Sequence, residues 1–190
     1  MTTARGFPPV SEADATVLIL GSLPGRRSLE LHQYYGQARN AFWPIMGRLF
    51  GAGPELTYEE RLGRLMRNAI ALWDVVASGE RIGSLDAAII GSSVVVNDFD
   101  SFFRRHPDIR LVCFNGRKAE QLYRRSVAPA LGSRLAAIRH ETLPSTSAAH
   151  AALSFDEKLR RWSSVVARAS LRRRAADVET VETPPSHAAD

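Results

Sequence analysis

The sequence predicts an α/β fold in which a parallel sheet is covered by helices on both faces. Three observations predict it. Four short apolar runs, at residues 16–21, 69–76, 109–114 and 135–143, are continuous rather than alternating, as strands buried on both faces must be. Helical patterns separate the runs, so the order reads β-α-β-α-β-α-β-α. No internal repeat interrupts the chain of 190 residues, which is a single-domain length.

The first run ends in Gly21-Ser22-Leu23-Pro24-Gly25, a glycine turn. After it come Tyr34-Tyr35-Gly36 and a helix opened by Phe42 and Trp43, with Ile45, Met46, Leu49 and Phe50 on its apolar side. Thr57 and Glu60 have the spacing of a capping box and open a helix over 59–68, whose apolar face holds Leu62, Leu65 and Met66. Asn97 or Asp98 caps a short helix through Phe99, Phe102 and Phe103 that Pro107 stops. The third strand runs straight into a helix over 116–126, with Ala119, Leu122 and Tyr123 inward. Ser154 and Glu157 repeat the capping spacing and start the last helix, through Leu159, Trp162 and Val166.

Composition narrows the function classes. The chain has 45% hydrophobic residues, ordinary for a globular core, and no apolar run near the ~20 residues of a membrane helix. Residues 1–14 mix charge, proline and polar side chains and read as a flexible segment with no signal-like apolar stretch. A cytoplasmic protein without membrane contact is expected. The single cysteine, Cys113, excludes an internal disulfide, a four-cysteine zinc site and a cysteine-ligated iron–sulfur cluster, and reads as a buried strand residue. No histidine or carboxylate spacing suggests a metal, and no cofactor is expected. Net charge is +5 with a pI near 10.0, mostly from arginine. The stretch 172–190, read as a disordered tail, carries three arginines against four acids, so the excess lies in the body and favours a polyanionic partner.

In an open parallel sheet, ligands bind beyond the carboxyl ends of the strands. The loops there, 21–40, 74–84, 115–116 and 144–151, are rich in Gly, Ser, Thr, Asn and Asp. Gly21 to Gly25 has neither the Walker A spacing nor G-x-G-x-x-G, and reads either as a tight turn or as a turn whose freed N–H groups face a base or phosphate. Tyr35, just before Gly36, is the candidate for a ring exposed in a pocket, whereas Trp43 reads as packing. Asn40 reads as a helix N-cap or as a polar group of the site. Asn115 belongs to a strand-to-helix turn or presents its amide to a ligand edge. Paired carboxylates of the glycosidase kind are not evident at this edge, where Asp74 alone ends a strand. His150 has a surface or backbone-bonding role.

Six motifs occur in order: Gly21 to Gly25, Tyr34 to Pro44 with Arg39-Asn40 inside it, Leu72 to Val75, Gly83 to Asp86, Phe114 to Gly116, and Leu143 to Ser147. Together they resemble the hypoxanthine-DNA glycosylase family of the uracil-DNA glycosylase superfamily, over roughly residues 7–162. The resemblance implies a three-layer α/β/α sandwich around a four-stranded parallel sheet, with residues 15–171 as the catalytic domain. It also implies removal of deaminated bases, hypoxanthine first and uracil in some relatives, from double-stranded DNA by a monomer. Carried over by position, Asn40 is the catalytic amide that orients a water below the sugar, and Tyr35 stacks on the flipped base. Asn115 reads the base edge, and the backbone around Ser22 and Leu23 donates to the departing base. Arg39 and the loop of Pro144, Ser145, Thr146 and Ser147 hold the DNA strand.

Two departures bear on base preference. Gln37-Ala38 stands where many members have His-Pro, and Ala148-Ala149-His150 where they often have Pro-Ala-Asn. Leu143 replaces the histidine with which uracil glycosylases stabilise the leaving base, so that task falls to backbone N–H groups or Asn115. Two alternatives remain at this level: a DNA-binding module of the same fold without the chemistry, and a nucleotide-binding Rossmann-type enzyme.

Overall fold

A computed structural model describes residues 2–81, 88–132 and 137–165. Its centre is a four-stranded, wholly parallel sheet in the order β3-β2-β6-β7, formed by β2 (Val17–Gly21), β3 (Ile70–Asp74), β6 (Leu111–Asn115) and β7 (Arg139–Leu143). Residues of β2, β3 and β6 are buried throughout, which explains their continuous apolar character. β7 is an edge strand, and only Leu143 of it is buried. Helices flank the sheet to give the expected three-layer sandwich: α1 (Arg26–Leu31), α2 (Phe42–Phe50), α3 (Tyr58–Arg67), α4 (Phe99–Arg105), α5 (Arg117–Ser126), α6 (Ala128–Leu131) and α7 (Phe155–Trp162).

The caps form as the spacing predicts. Glu60 N–H donates to Thr57 Oγ1 at 3.3 Å while Thr57 N–H donates to Glu60 Oε2 at 2.8 Å. Ser101 N–H donates to Asp98 Oδ1 at 3.0 Å, and Glu157 N–H to Ser154 Oγ at 3.2 Å. Aromatic packing ties the layers together. Trp73 of β3 lies 5.0 Å and 4.9 Å, ring to ring, from Phe99 and Phe102 of α4, and Phe42 of α2 meets Trp162 of α7 edge-on at 6.0 Å.

Three expectations need correction. Residues 1–14 are not simply a flexible lead. β1 (Thr2–Arg5) pairs antiparallel with β4 (Val76–Arg81), Val10 bridges Leu72, and Gly6 N–H donates to Ala77 O at 2.8 Å. The run 69–76 is two strands rather than one. The ladder of β3 ends at Asp74, and from Val76 the chain enters a second sheet of order β1-β4-β5, with β5 at Val95–Val96. The last strand begins at Arg139, later than expected, because its exposed edge residues carry the ladder without an apolar pattern. The Gly83 to Asp86 motif and the stretch 172–190 lie outside the described residues.

Cys113 is a buried strand thiol, and burial, aided by Glu141, pushes its ionisation well above the ordinary thiol range. No helix among the described residues is long and apolar enough to cross a membrane.

Candidate active site

Beyond the carboxyl ends of the parallel strands the loops enclose a cleft of about 580 Å³. Its wall includes Gly21 to Ser28, Tyr34, Tyr35, Gln37, Arg39, Asn40, Asn115 and Ser145 to His150. Sequence reasoning therefore placed Ser22, Leu23, Tyr35, Arg39, Asn40, Asn115, Ser145, Thr146 and Ser147 on one surface. Pro144 sits just behind the cleft, where its carbonyl accepts from Trp162 Nε1 at 3.0 Å.

Tyr35 is held in a left-handed conformation, φ 54°, which is unfavourable for a bulky side chain. Its neighbours impose it. Tyr34 O accepts from the Trp43 indole at 2.9 Å, Tyr34 N–H donates to the Tyr58 hydroxyl at 2.9 Å, and Gly36 N–H donates to Ser28 Oγ at 3.1 Å. One face of the half-buried Tyr35 ring stacks on Phe42, with centroids 3.8 Å apart and planes 21° from parallel. A Cβ at Gly21 would run into Asp74 Oδ1 and approach the Tyr35 hydroxyl to 3.1 Å, so glycine is what allows β2 to end against these groups. Tyr34 itself is buried, its hydroxyl donating to Pro8 O at 3.1 Å. Burial first, then the neighbouring Asp74, raises its ionisation far above the ordinary range.

Asn40 lies on the cleft wall one residue before the N-cap of α2, which is Ala41. The first residue of α2 is Phe42, and its N–H donates to Asn40 Oδ1 at 3.0 Å, so the side chain satisfies one N–H of the first turn without occupying the cap position. That bond also fixes which end of the amide is oxygen, because a backbone N–H only donates. Asn40 remains half-buried on the cleft wall, with the second lone pair of Oδ1 and both Nδ2 hydrogens uncommitted by this bond.

Asn115, only 8% exposed, ends β6. Thr146 N–H donates to its Oδ1 at 2.9 Å, and its Nδ2 donates to Thr146 Oγ1 at 2.8 Å. The oxygen end is again identified by a backbone donor. Gly116, at φ 94°, follows, and its N–H donates to Leu143 O at 3.0 Å, which brings the 144–150 loop against the end of β6. A Cβ on Gly116 would lie 2.9 Å from Ser145 Cβ.

Thr146 departs from expectation. Read as a strand-gripping residue, it is 1% exposed, and its polar groups face inward. Its carbonyl accepts from Ala41 N–H at 2.9 Å, so the same residue joins the Asn115 turn to the Asn40 turn. Ser145 and Ser147 are half-exposed and cap their own loop, Ser147 N–H on Ser145 Oγ at 3.3 Å and Ala149 N–H on Ser147 Oγ at 3.3 Å. Lys158, 6% exposed, donates from Nζ to His150 O at 2.8 Å, so α7 anchors both ends of the loop. Desolvation lowers the Lys158 ammonium's pKa. The backbone of His150 thus takes the bonding role read for that residue.

Arg26, Arg27 and Arg39 are exposed on the cleft wall and make it electropositive. Arg26 and Arg27 pair with Glu30 at 3.7 Å and 3.1 Å, and such exposed pairs exchange readily for phosphate. Among the described residues no three His, Cys, Asp or Glu side chains gather as a metal site. Sequence reasoning missed Arg81, 5% exposed on β4, whose Nη2 donates to Pro24 O at 2.7 Å and Nη1 to Leu23 O at 3.4 Å. An arginine in a short strand containing Ser78, Gly79 and Glu80 carries no local sign that it points inward.

The profile of the uracil DNA glycosylase superfamily matches residues 8–171 of this chain. A hypoxanthine DNA glycosylase of Methanosarcina acetivorans is 44% identical over 116 residues, 60% of this chain and 72% of that protein. One from Methanosarcina barkeri is 42% identical over the same lengths. A solution NMR structure of a protein from M. acetivorans, provisionally assigned as a uracil DNA glycosylase, superposes with a TM-score of 0.73 at 37% identity, covering 89% of this chain and 99% of that one.

Proposed function

The chain belongs to the uracil DNA glycosylase superfamily, in its hypoxanthine DNA glycosylase branch, and from that premise we propose how this cleft excises a deaminated base. The activity is that of a DNA glycosylase. Its substrate is double-stranded DNA containing deoxyinosine, with uracil as the second base to assay.

The observation that carries the reading is the pair of amides, Asn40 and Asn115, each with its oxygen identified by a backbone N–H within one cleft. An amide does not take up a proton at neutral pH, so Asn40 acts by position. Its free Oδ1 lone pair accepts one hydrogen of a water and aims the water oxygen at the sugar C1′. The C1′–N9 bond breaks with its electron pair leaving on the base. The water oxygen bonds to C1′, its proton passes to solvent, and the expelled base takes one up. The products are free hypoxanthine and an abasic site.

Reaching this geometry requires the nucleotide to leave the stack, which costs a few kcal/mol, less for a weakly paired base such as hypoxanthine. The exposed face of the Tyr35 ring, backed by Phe42, receives the flipped base. Asn115 gives one Oδ1 lone pair to Thr146 N–H and one Nδ2 hydrogen to the Thr146 hydroxyl, so each end keeps one site for a base, a lone pair on Oδ1 and a hydrogen on Nδ2. The Nδ2 hydrogen suits the O6 carbonyl of hypoxanthine and opposes the N6 amine of adenine. Arg26, Arg27 and Arg39 hold the flanking phosphates. The same reading has the protein act as a cytoplasmic monomer. An inactive DNA-binding module is not favoured, because the relatives at 42% and 44% identity are hypoxanthine DNA glycosylases.

Single-turnover release of hypoxanthine from an inosine duplex tests the reading. Asn40→Ala should lower the rate about 100-fold or more while abasic-duplex binding is retained. An unchanged rate removes Asn40 from the mechanism. A wild-type protein that releases no base from inosine, uracil or xanthine duplexes overturns the reading as a whole.

A further inference from the structure

Four successive carbonyls of the first loop are drawn to one side. Gly21 O accepts from Val75 N–H at 2.9 Å, and Ser22 O from Val76 N–H at 3.0 Å. Leu23 O and Pro24 O accept from the Arg81 guanidinium at 3.4 Å and 2.7 Å. In a trans peptide the C=O and the following N–H point in opposite directions, and the described residues contain no cis bond. The N–H groups of Ser22, Leu23 and Gly25 are therefore turned away from Val75, Val76 and Arg81, while Pro24 has none to offer. Those three residues do not line the cleft, whereas Gly21 to Gly25 do. The N–H groups thus form a nest of donors on the cleft side, without a charged group among them.

We propose that Arg81 is the positioning residue that sets this nest for the departing base. The proposal rests on the glycosylase reading above and adds a residue from the second sheet that touches neither base nor sugar. Backbone hydrogen bonds from the continuing chain orient only the first two peptides of the loop. The third and fourth carbonyls are oriented by the guanidinium, and the fourth belongs to the peptide whose N–H is that of Gly25. Enclosing a guanidinium at 5% exposure is costly unless its donors are satisfied, and two neighbouring carbonyls suit its planar fork. With Leu143 in place of a leaving-group histidine, stabilisation of the anionic base depends more heavily on such preset donors.

The test compares excision of hypoxanthine with excision of a more acidic analogue, 2-fluorohypoxanthine, in the same duplex under single-turnover conditions. A better leaving base needs less stabilisation from the nest. Arg81→Met should slow hypoxanthine release about 100-fold, slow the fluorinated base markedly less, and leave the dissociation constant for an abasic-site duplex unchanged. Arg81→Lys, which restores one donor, should recover part of the lost rate and part of the lost selectivity between the two bases. An equal loss on both bases, or no loss on either, overturns the proposal. Should Arg81→Met not fold, Arg81→Lys carries the test alone by the same comparison, since a shifted ratio of the two rates supports the proposal and an unshifted ratio overturns it. A wild-type protein inactive on both bases defeats the glycosylase reading instead, and so is told apart from a failure of Arg81.

Discussion

Thr146 and Asn115 exchange two hydrogen bonds, backbone N–H to Oδ1 at 2.9 Å and Nδ2 to hydroxyl at 2.8 Å, with Thr146 1% exposed and Asn115 8%. A residue of the 144–150 loop thereby fixes the orientation of an amide at the end of the central sheet. Because both bonds are buried, the amide has little freedom to turn over.

Replacing the threonine hydroxyl by a methyl tests that lock. Thr146→Val keeps the volume and the backbone donor but leaves Asn115 Nδ2 without its acceptor. Such a loss costs about 1–3 kcal/mol in a buried setting. The expected outcome is a lower melting temperature and a reduced preference for inosine over adenosine in paired excision assays, with Thr146→Ser close to wild type. A preference equal to that of wild type in Thr146→Val contradicts the lock.

Tyr35 allows stability and activity to be separated. Tyr35→Gly relieves a left-handed bulky residue, a gain of about 1–2 kcal/mol, and loses the stack on Phe42, a cost of about 1 kcal/mol. The melting temperature should move little. Base stacking of about 1–3 kcal/mol disappears, so hypoxanthine release should fall by roughly 5- to 100-fold, while Tyr35→Phe stays near wild type. Equal activity of Tyr35→Gly and wild type would remove the ring from base recognition.

Acid sensitivity has a local source in the α3 cap. Bonds from the Thr57 backbone, then from its hydroxyl, lower the Glu60 carboxyl pKa. A carboxylate lowered in the folded state adds stability above its unfolded pKa, and this is lost as pH falls through the lowered folded value. Glu60→Gln keeps an acceptor for Thr57 N–H but does not titrate. Between pH 7 and pH 3 the wild type should therefore lose more melting temperature than Glu60→Gln, and parallel curves would exclude the contribution.

What could be read in the sequence was set by local rules. The Thr57–Glu60 box lies within one turn of helix, and β2, β3 and β6 announce themselves because both their faces are buried. The second sheet could not be read in this way. β5 is two residues long, β4 carries Ser78, Gly79 and Glu80, and β1 finds its partner more than seventy positions along the chain. The cleft was legible as a set of residues but not as a set of directions. Asn40 looked like a cap but stands one residue before it, and its bond to Phe42 N–H orients it in the cleft. Thr146, in a polar loop, gave no sign of pointing inward, since its partner lies 31 residues away.

The row of donors at Ser22, Leu23 and Gly25 is electrically neutral, and so are both amides that share its cleft. In the proposed function, capture of the duplex depends on arginines facing phosphate, whose grip weakens as counterions compete. The fold thus divides ionic strength from chemistry. Added salt should lengthen the search for a lesion and shorten each encounter, yet leave the bond-breaking step almost untouched once the base has entered. An enzyme that works this way changes how long it dwells on a duplex without changing how fast it releases the base.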